Sequence, residues 1–328
     1  MDKTDLGNQS GKPGFSRLMA RPETMVALTI IVLFVLLSFL RPATFPTARN
    51  IFNICRQSSV FAILAVGMGL VIVTGGIDLS VGAVIALSAC LGAWSSREFG
   101  APPVVVLVII LGIGAAVGFI NGILIAKLGI PPFIVTLGML SVSNGAALLI
   151  SKGAPIRYIP SWISVFGGSY ISAMPVSVVI MLAVVLAGLV FANFTQMGRN
   201  IYAVGNSQRA AKLSGIFVDR IIIGVYVIMG VLAGLGGLLL VGQMNSADPS
   251  FGKGYELDVI AATVIGGISM TGGEGNIVGV LLGALLMGIL KNMFVQLAVS
   301  GYWQTIILGL VIIGAVMIDS IRKKKAAN

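Results

Sequence analysis

Apolar runs dominate this chain, and short polar stretches interrupt them at fairly regular distances. A membrane-crossing helix needs about 20 mostly apolar residues, fewer where charged flanks reach the surface. On that criterion the pattern predicts spans near 25–40, 58–75, 79–95, 102–126, 131–151, 174–193, 220–243, 257–271, 276–297 and 302–319, ten in all. The expected fold is all-α, a polytopic membrane protein built as a bundle of about ten transmembrane helices. The domain reading follows: an N-terminal tail over 1–24, one membrane domain over 25–319 with a polar loop at about 194–219, and a basic tail over 320–328. The first apolar run, Met25 to Leu40, exceeds the usual signal-peptide core and is followed by Arg41-Pro42, so it reads as an uncleaved first helix.

Basic residues test the count, because lysine and arginine gather on the cytoplasmic side. The richest clusters lie in 3–21, 199–220 and 322–325. Six spans precede the second cluster and four follow it, so all three fall inside, with both termini cytoplasmic. Losing 257–271 alone would put the last cluster outside. Arg41, Arg49 and Arg56 fit less well, since the same count puts them outside or at the entrance of the second helix.

Composition agrees with the pattern and narrows the chemistry. The chain is 57% hydrophobic and 10% charged, far from a soluble domain, and its net charge of +10 punctuates apolar runs instead of forming a nucleic-acid face. It has no histidine and two cysteines, Cys55 and Cys90, in or beside apolar segments. That removes histidine-based nucleophilic catalysis, histidine-ligated metals and a thiolate zinc site, and leaves the cysteines as small buried residues.

Glycines recur at four-residue spacing in three of the runs: Gly114, Gly118 and Gly122; Gly230 and Gly234; Gly279 and Gly283. Such spacing bares one helix face for close approach of a second helix. Two segments break an apolar run. Val73 to Val84, "VTGGIDLSVGAV", places Asp78 or Ser80 to cap a restarted helix, and Gly252 to Asn276 puts Glu256 and Asp258 in a first helical turn. Thr74-Gly75-Gly76 and Val81-Gly82 recur as Thr271-Gly272-Gly273 and Val278-Gly279 at equal spacing, as in transporters with related halves. Irregular backbone at membrane depth has to be buried in protein or line a water-filled cavity. Asp78, Ser80, Glu256 and Asp258 are therefore candidates for a solute path or a helix break, as are Asn121 and Asn144; a plain helix cap and interhelical hydrogen bonding are the structural alternatives. Ser141, Ser143 and Thr263 are further polar groups within the runs.

The longest polar interruption is "GRNIYAVGNSQRAAKLSGIFVDR", Gly198 to Arg220. Within it, Asn206 or Ser207 is placed to cap one short helix that Gly215 stops. Too short to span and marginal alone in water, that helix needs a surface to dock on, either a groove on a partner protein or the membrane headgroups.

Three stretches resemble a known family. "GGIDLSVGAVIALSA" (Gly75–Ala89), "GRNIYAVGNSQRAAKLSGI" and "GYELDVIAATVIGGISMTGGEGNIVG" (Gly254–Gly279) are similar, in order, to recurrent segments of ribose-type permeases, the membrane subunits of bacterial ABC importers for monosaccharides. The likeness runs from about residue 45 to 320. It implies an inner-membrane permease paired with a second permease, a pair of ATPase subunits and a periplasmic sugar-binding protein, all in a lipid bilayer. It maps the coupling segment onto Gly205, Asn206, Arg209, Ala210, Ala211, Lys212, Leu213 and Gly215. Two places depart from the family pattern: Gly273-Glu274-Gly275, where a central lysine or arginine is usual, and Asn206-Ser207-Gln208, where an acidic residue often follows the asparagine. No G-x-x-x-x-G-K-[ST] phosphate loop occurs, so the chain is expected to be a transport subunit and not an enzyme. It is expected to bind no cofactor or metal itself, with ATP and magnesium at the partner ATPase. An ion-driven secondary transporter is the rival reading; it calls for carboxylates well inside the membrane, whereas Asp78, Glu256, Asp258 and Glu274 are expected near span ends.

Overall fold

The computed structural model describes residues 22–327. The expected tail over 1–24 lies almost wholly outside the described residues. In chain order the helices are α1 (Pro22–Leu40), α2 (Ala48–Val73), α3 (Val81–Phe99), α4 (Pro103–Ala126), α5 (Pro132–Ser151), α6 (Ser161–Gly168), α7 (Val176–Phe194), α8 (Gln196–Asn206), α9 (Gln208–Leu213), α10 (Val218–Met244), α11 (Tyr255–Ile265), α12 (Ile277–Gln296) and α13 (Gly301–Ala327). A two-residue antiparallel hairpin, β1 (Tyr170–Ile171) with β2 (Met174–Pro175), and a single antiparallel bridge between Ile156 and Ala247 are the departures from all-helix among the described residues. Local chemistry sets the ends. Pro103 and Pro132 open α4 and α5 at positions where the missing amide costs nothing. Thr47 and Asn276 cap α2 and α12 by accepting from Asn50 N and Val278 N. Gly100 closes α3 in the left-handed conformation at φ 60°.

Every predicted apolar run holds a helix. Seven helices are long and apolar enough to cross a membrane by length and composition: α1, α2, α4, α5, α7, α10 and α12. Of the other three, α11 has only 11 residues. At 1.5 Å per residue it extends about 16 Å, well short of a hydrocarbon core of about 30 Å. Gly266 stops it where an apolar reading ran on to 271. The second helix begins earlier than expected, at Ala48 instead of 58, and so takes in Arg49 and Arg56, two of the three arginines that fitted the span pattern poorly, while Arg41 precedes it. Their polarity hid the helix start, but the bundle satisfies it: Arg56 donates to the Gln243 carbonyl at 3.2 Å.

Burial ranks the helices. The apolar window of α2 is 89% buried and that of α1 only 11%, which makes α2 the hub and α1 an outer helix. Helices α7, α10, α11 and α12 all pack on α2. The glycine faces meet as the spacing predicts. A Cβ at Gly114 would collide with the Gly230 carbonyl and one at Gly118 with the Tyr226 carbonyl, while one at Gly234 would lie 2.6 Å from the Ile110 carbonyl. Helices α4 and α10 therefore touch backbone to backbone. Gly279 and Gly283 do the same for α12 against Gly266 and Ala262 at the end of α11.

Candidate functional site

The first break follows α2. Thr74 closes the helix through its hydroxyl on the Val71 carbonyl at 2.7 Å, and Gly75 turns at φ 81°, a conformation open to glycine. The chain then runs irregularly through Ile77 to Ser80, walled by three helices. Tyr226 of α10 and Thr136 of α5 both donate to the Ile77 carbonyl at 3.3 Å. Asp78, 2% exposed, accepts from the Ser80 amide at 2.8 Å and from its hydroxyl at 2.6 Å. Asn121 of α4 donates to the Ser80 oxygen at 3.1 Å, and its own carbonyl oxygen is buried without a partner. Asp78, Ser80 and Asn121, three of the candidates, thus form one buried chain of hydrogen bonds.

The second break, from Gly266 to Asn276, is held mainly through backbone. Ser269 N donates to the Glu274 carbonyl at 3.1 Å, and Gly272 and Gly273 take φ values of 83° and 77°. Gly273 N then donates to the carbonyl of Val73 at 2.9 Å, the last residue of α2. The two Thr-Gly-Gly repeats, nearly 200 residues apart in sequence, therefore touch.

The polar loop closes over this contact. It forms two helices where the sequence suggested one, because Ser207 leaves helical geometry (φ −164°, ψ 108°) and caps α9 by accepting from Ala210 N. Helix α8 is amphipathic, burying Gly198, Ile201 and Val204. Tyr202 donates to the Gly275 carbonyl at 3.1 Å, and burial pushes its phenol above the usual range. Gly205 lies where any Cβ would strike the Val73 carbonyl and come within 2.6 Å of Gly273 N. The Asn206 side-chain oxygen occupies the space over Gly273, 2.5 Å from where a Cβ would stand. Gln208 shares a small crevice with Thr74, Gly75, Gly76, Pro132 and Tyr226. Loop and breaks make one joint.

The outer face of α9 is exposed. Arg209, Ala210, Lys212, Leu213 and Gly215 are exposed, Leu213 to 84%, whereas Ala211 turns inward at 4%. Ala211 therefore packs into the joint while the other coupling candidates on α9 stand outward, a difference that the run of small residues seen as sequence did not reveal.

The remaining candidates lie elsewhere. Asn144 is half-buried on α5 and makes no hydrogen bond to the Asp78 chain. Glu256 reaches the first turn of α3, its carboxylate 2.6 Å from the place of a Cβ on Gly82, where a negative charge suits the helix N-terminus. Asp258 is 6% exposed and ion-paired with Lys291 of α12; the lysine also stacks over the Phe61 ring at 4.6 Å and the Tyr255 ring at 5.2 Å. Asp78 and Asp258 thus lie near helix starts, as the sequence suggested, and both are buried there. Lys291 was missed, although a lone lysine within the apolar run 276–297 is a signal in itself. A neighbouring set, Asn50 with Asn292 at 2.9 Å and Gln296 at 3.1 Å, ties α2 to α12. Among the described residues no group of three or more acidic or cysteine side chains could hold a metal.

A helical bundle with broken helices, a glycine-laced interior and a polar loop clamped over both breaks defines a membrane permease. The chain belongs to the family described as the branched-chain amino acid transport system permease component, whose model matches residues 50–316. It is 41% identical over 319 residues to the ribose import permease protein RbsC of Escherichia coli K12, covering 95% of this chain and 97% of that one. It is 40% identical over 328 residues to RbsC of Bacillus subtilis 168, covering 99% and 100%. The fructose import permease protein FrcC of Rhizobium meliloti is 35% identical over 318 residues, covering 94% of this chain and 88% of that one. No solved structure matches the chain.

Proposed function

We propose that this chain is the membrane subunit of an ATP-driven ABC importer, carrying a monosaccharide, ribose or a related sugar, from a periplasmic binding protein into the cytoplasm by alternating access. The observation that carries the mechanism is the joint, in which Gly205 and Asn206 bear on both helix breaks at once. The sugar class is supported by relatives named as ribose and fructose import permeases. The fine topology belongs to the same proposal: α1 to α5, α7 and α10 to α13 are the ten membrane segments, with α11 entering partway and the irregular segment after it completing the passage inside protein. Both tails and the loop are cytoplasmic, and the membrane is the inner one.

In this mechanism a partner ATPase, which holds ATP and magnesium, docks against Arg209, Ala210, Lys212 and Leu213. Its closure displaces α8 and α9. Because Gly205 abuts the Val73 carbonyl, the displacement is delivered to the end of α2, the most buried helix, and through Gly273 to the start of α12. Rigid packing makes such a shift a tilt between two states instead of a local dent. A second copy of the chain completes the path. The Asp78–Ser80–Asn121 chain, with its unpartnered amide oxygen, and Glu256 with Asp258 are the groups proposed to meet solute or to gate it.

The test is capture of the ATPase from native membranes by the detergent-solubilised protein. The original chain brings down a Walker-motif ATPase, and Leu213→Asp loses it with unchanged thermal stability. Absence of any ATPase while other membrane complexes survive would sink the proposal.

A further inference from the structure

The end of the molecule that carries the loop holds a second feature that the joint does not use. A cavity of about 480 Å³ is lined by Lys127, Lys212, Gly215, Ile216, Phe217, Val218, Asp219, Arg220 and Ile223. Three cations thus surround it with one carboxylate, and among the described residues none of the four takes part in an ion pair. Helix α10 begins at Val218 with no side-chain cap, so the positive end of a 27-residue helix adds to the same field. The cavity needs an anion.

Its rim shows which kind. Lys127 ends α4, and the exposed side of that helix carries Val105, Val108, Gly112, Ala116 and Phe119 at three- and four-residue spacing, leading to Lys127 through half-exposed Ile123. This is an apolar track that ends in a cation. Phe217, 67% exposed, lines the cavity with Arg220 over its ring at 4.5 Å, and Leu128, 65% exposed, follows Lys127 in the chain. An aromatic ring beside basic side chains at the end of a lipid-facing stripe is the chemistry of a membrane interface.

We propose that this cavity binds the phosphate of an anionic phospholipid, held by Lys127, Lys212 and Arg220, with an acyl chain along the exposed face of α4. The bound lipid fills the wedge between α4 and the loop and so fixes the resting position of the loop's second attachment, at α10. Lys212 is shared with the proposed ATPase-docking face, whereas Lys127 and Arg220 lie outside it, and these two are the positions that the test changes.

The experiment reconstitutes the full-length protein into vesicles of equal phosphatidylcholine and phosphatidylglycerol, re-extracts it gently, and identifies retained lipid by native mass spectrometry. Phosphatidylglycerol is retained over phosphatidylcholine by about tenfold or more, and Lys127→Gln with Arg220→Gln removes that preference. Lys127→Gln alone, at an exposed position, gives a partial loss should the double variant fail to fold, and Lys127→Arg keeps the preference. Equal retention of both lipids overturns the proposal. So does inorganic phosphate giving the whole effect on thermal stability while phosphatidylglycerol gives none beyond phosphatidylcholine, which would make the site one for soluble phosphate. A double variant that retains lipid normally but no longer captures its ATPase would assign the cavity to an acidic protein partner instead.

Discussion

The two Thr-Gly-Gly breaks share a sequence but are built differently. The first is enclosed by side chains from three helices, Asn121, Thr136 and Tyr226, and its Gly75 has open space beside it. The second is held by backbone, and its Gly272 and Gly273 have no space at all: a Cβ on Gly272 would stand 2.9 Å from the Val73 carbonyl. Similar local grammar therefore serves two ends. One break is fastened to the bundle and the other is fitted to the loop; in the proposed mechanism the loop acts on the end of α2 through Gly205 and Val73, and on the second break through Gly273.

Substitution at the close contacts should break that comparison most severely. Gly205→Val forces a branched side chain into the Val73 carbonyl, and Gly273→Val forces one into the Asn206 side chain at a φ of 77°, so uptake in reconstituted vesicles is expected to fall by about a hundredfold or more; Gly75→Ala, strained only by its φ of 81°, costs about 1 kcal/mol in thermal unfolding. The next effect tests whether α11 is held by charge. Lys291→Met leaves Asp258 buried and unpaired, with an expected loss of about 3 kcal/mol; adding Asp258→Asn restores most of it, and no recovery in the double variant would show that the pair is not what the lysine serves. Asn121→Ala removes the donor to Ser80, and about 1–2 kcal/mol of stability is expected to go with it, read by thermal melts in detergent. The smallest change is Tyr202→Phe. Loss of one bond to Gly275 costs about 1 kcal/mol, and uptake should drop more than stability does if α8 conveys force.

Much of this was legible in the sequence, for physical reasons. Long apolar runs permit little except helices in a bilayer, and glycines four apart bare one face, so close approach of a second helix to α4, α10 and α12 follows from local pattern, whereas which helix each one meets does not. The breaks were legible from Thr-Gly-Gly, and Asp78, Ser80 and Asn121 from polarity within apolar runs. That the breaks touch each other is a tertiary fact that no local pattern carries. The same holds for Ala211: its burial depends on the kink at Ser207, and a run of small residues in a polar loop does not tell inner face from outer. The start of α2 was obscured because Arg49, Asn50, Arg56 and Gln57 read as loop until Gln243 and Asn292 are found as partners for two of them.

The central claim is that Gly205 passes the loop's motion to both breaks, and the ratio of sugar imported to ATP hydrolysed tests it most directly. With permease, ATPase and binding protein reconstituted together, Gly205→Ala is expected to keep the ATPase bound and hydrolysing while uptake falls by at least about tenfold, because the added methyl strikes the Val73 carbonyl and separates loop from break. Uptake and hydrolysis that stay in the original proportion would contradict the account.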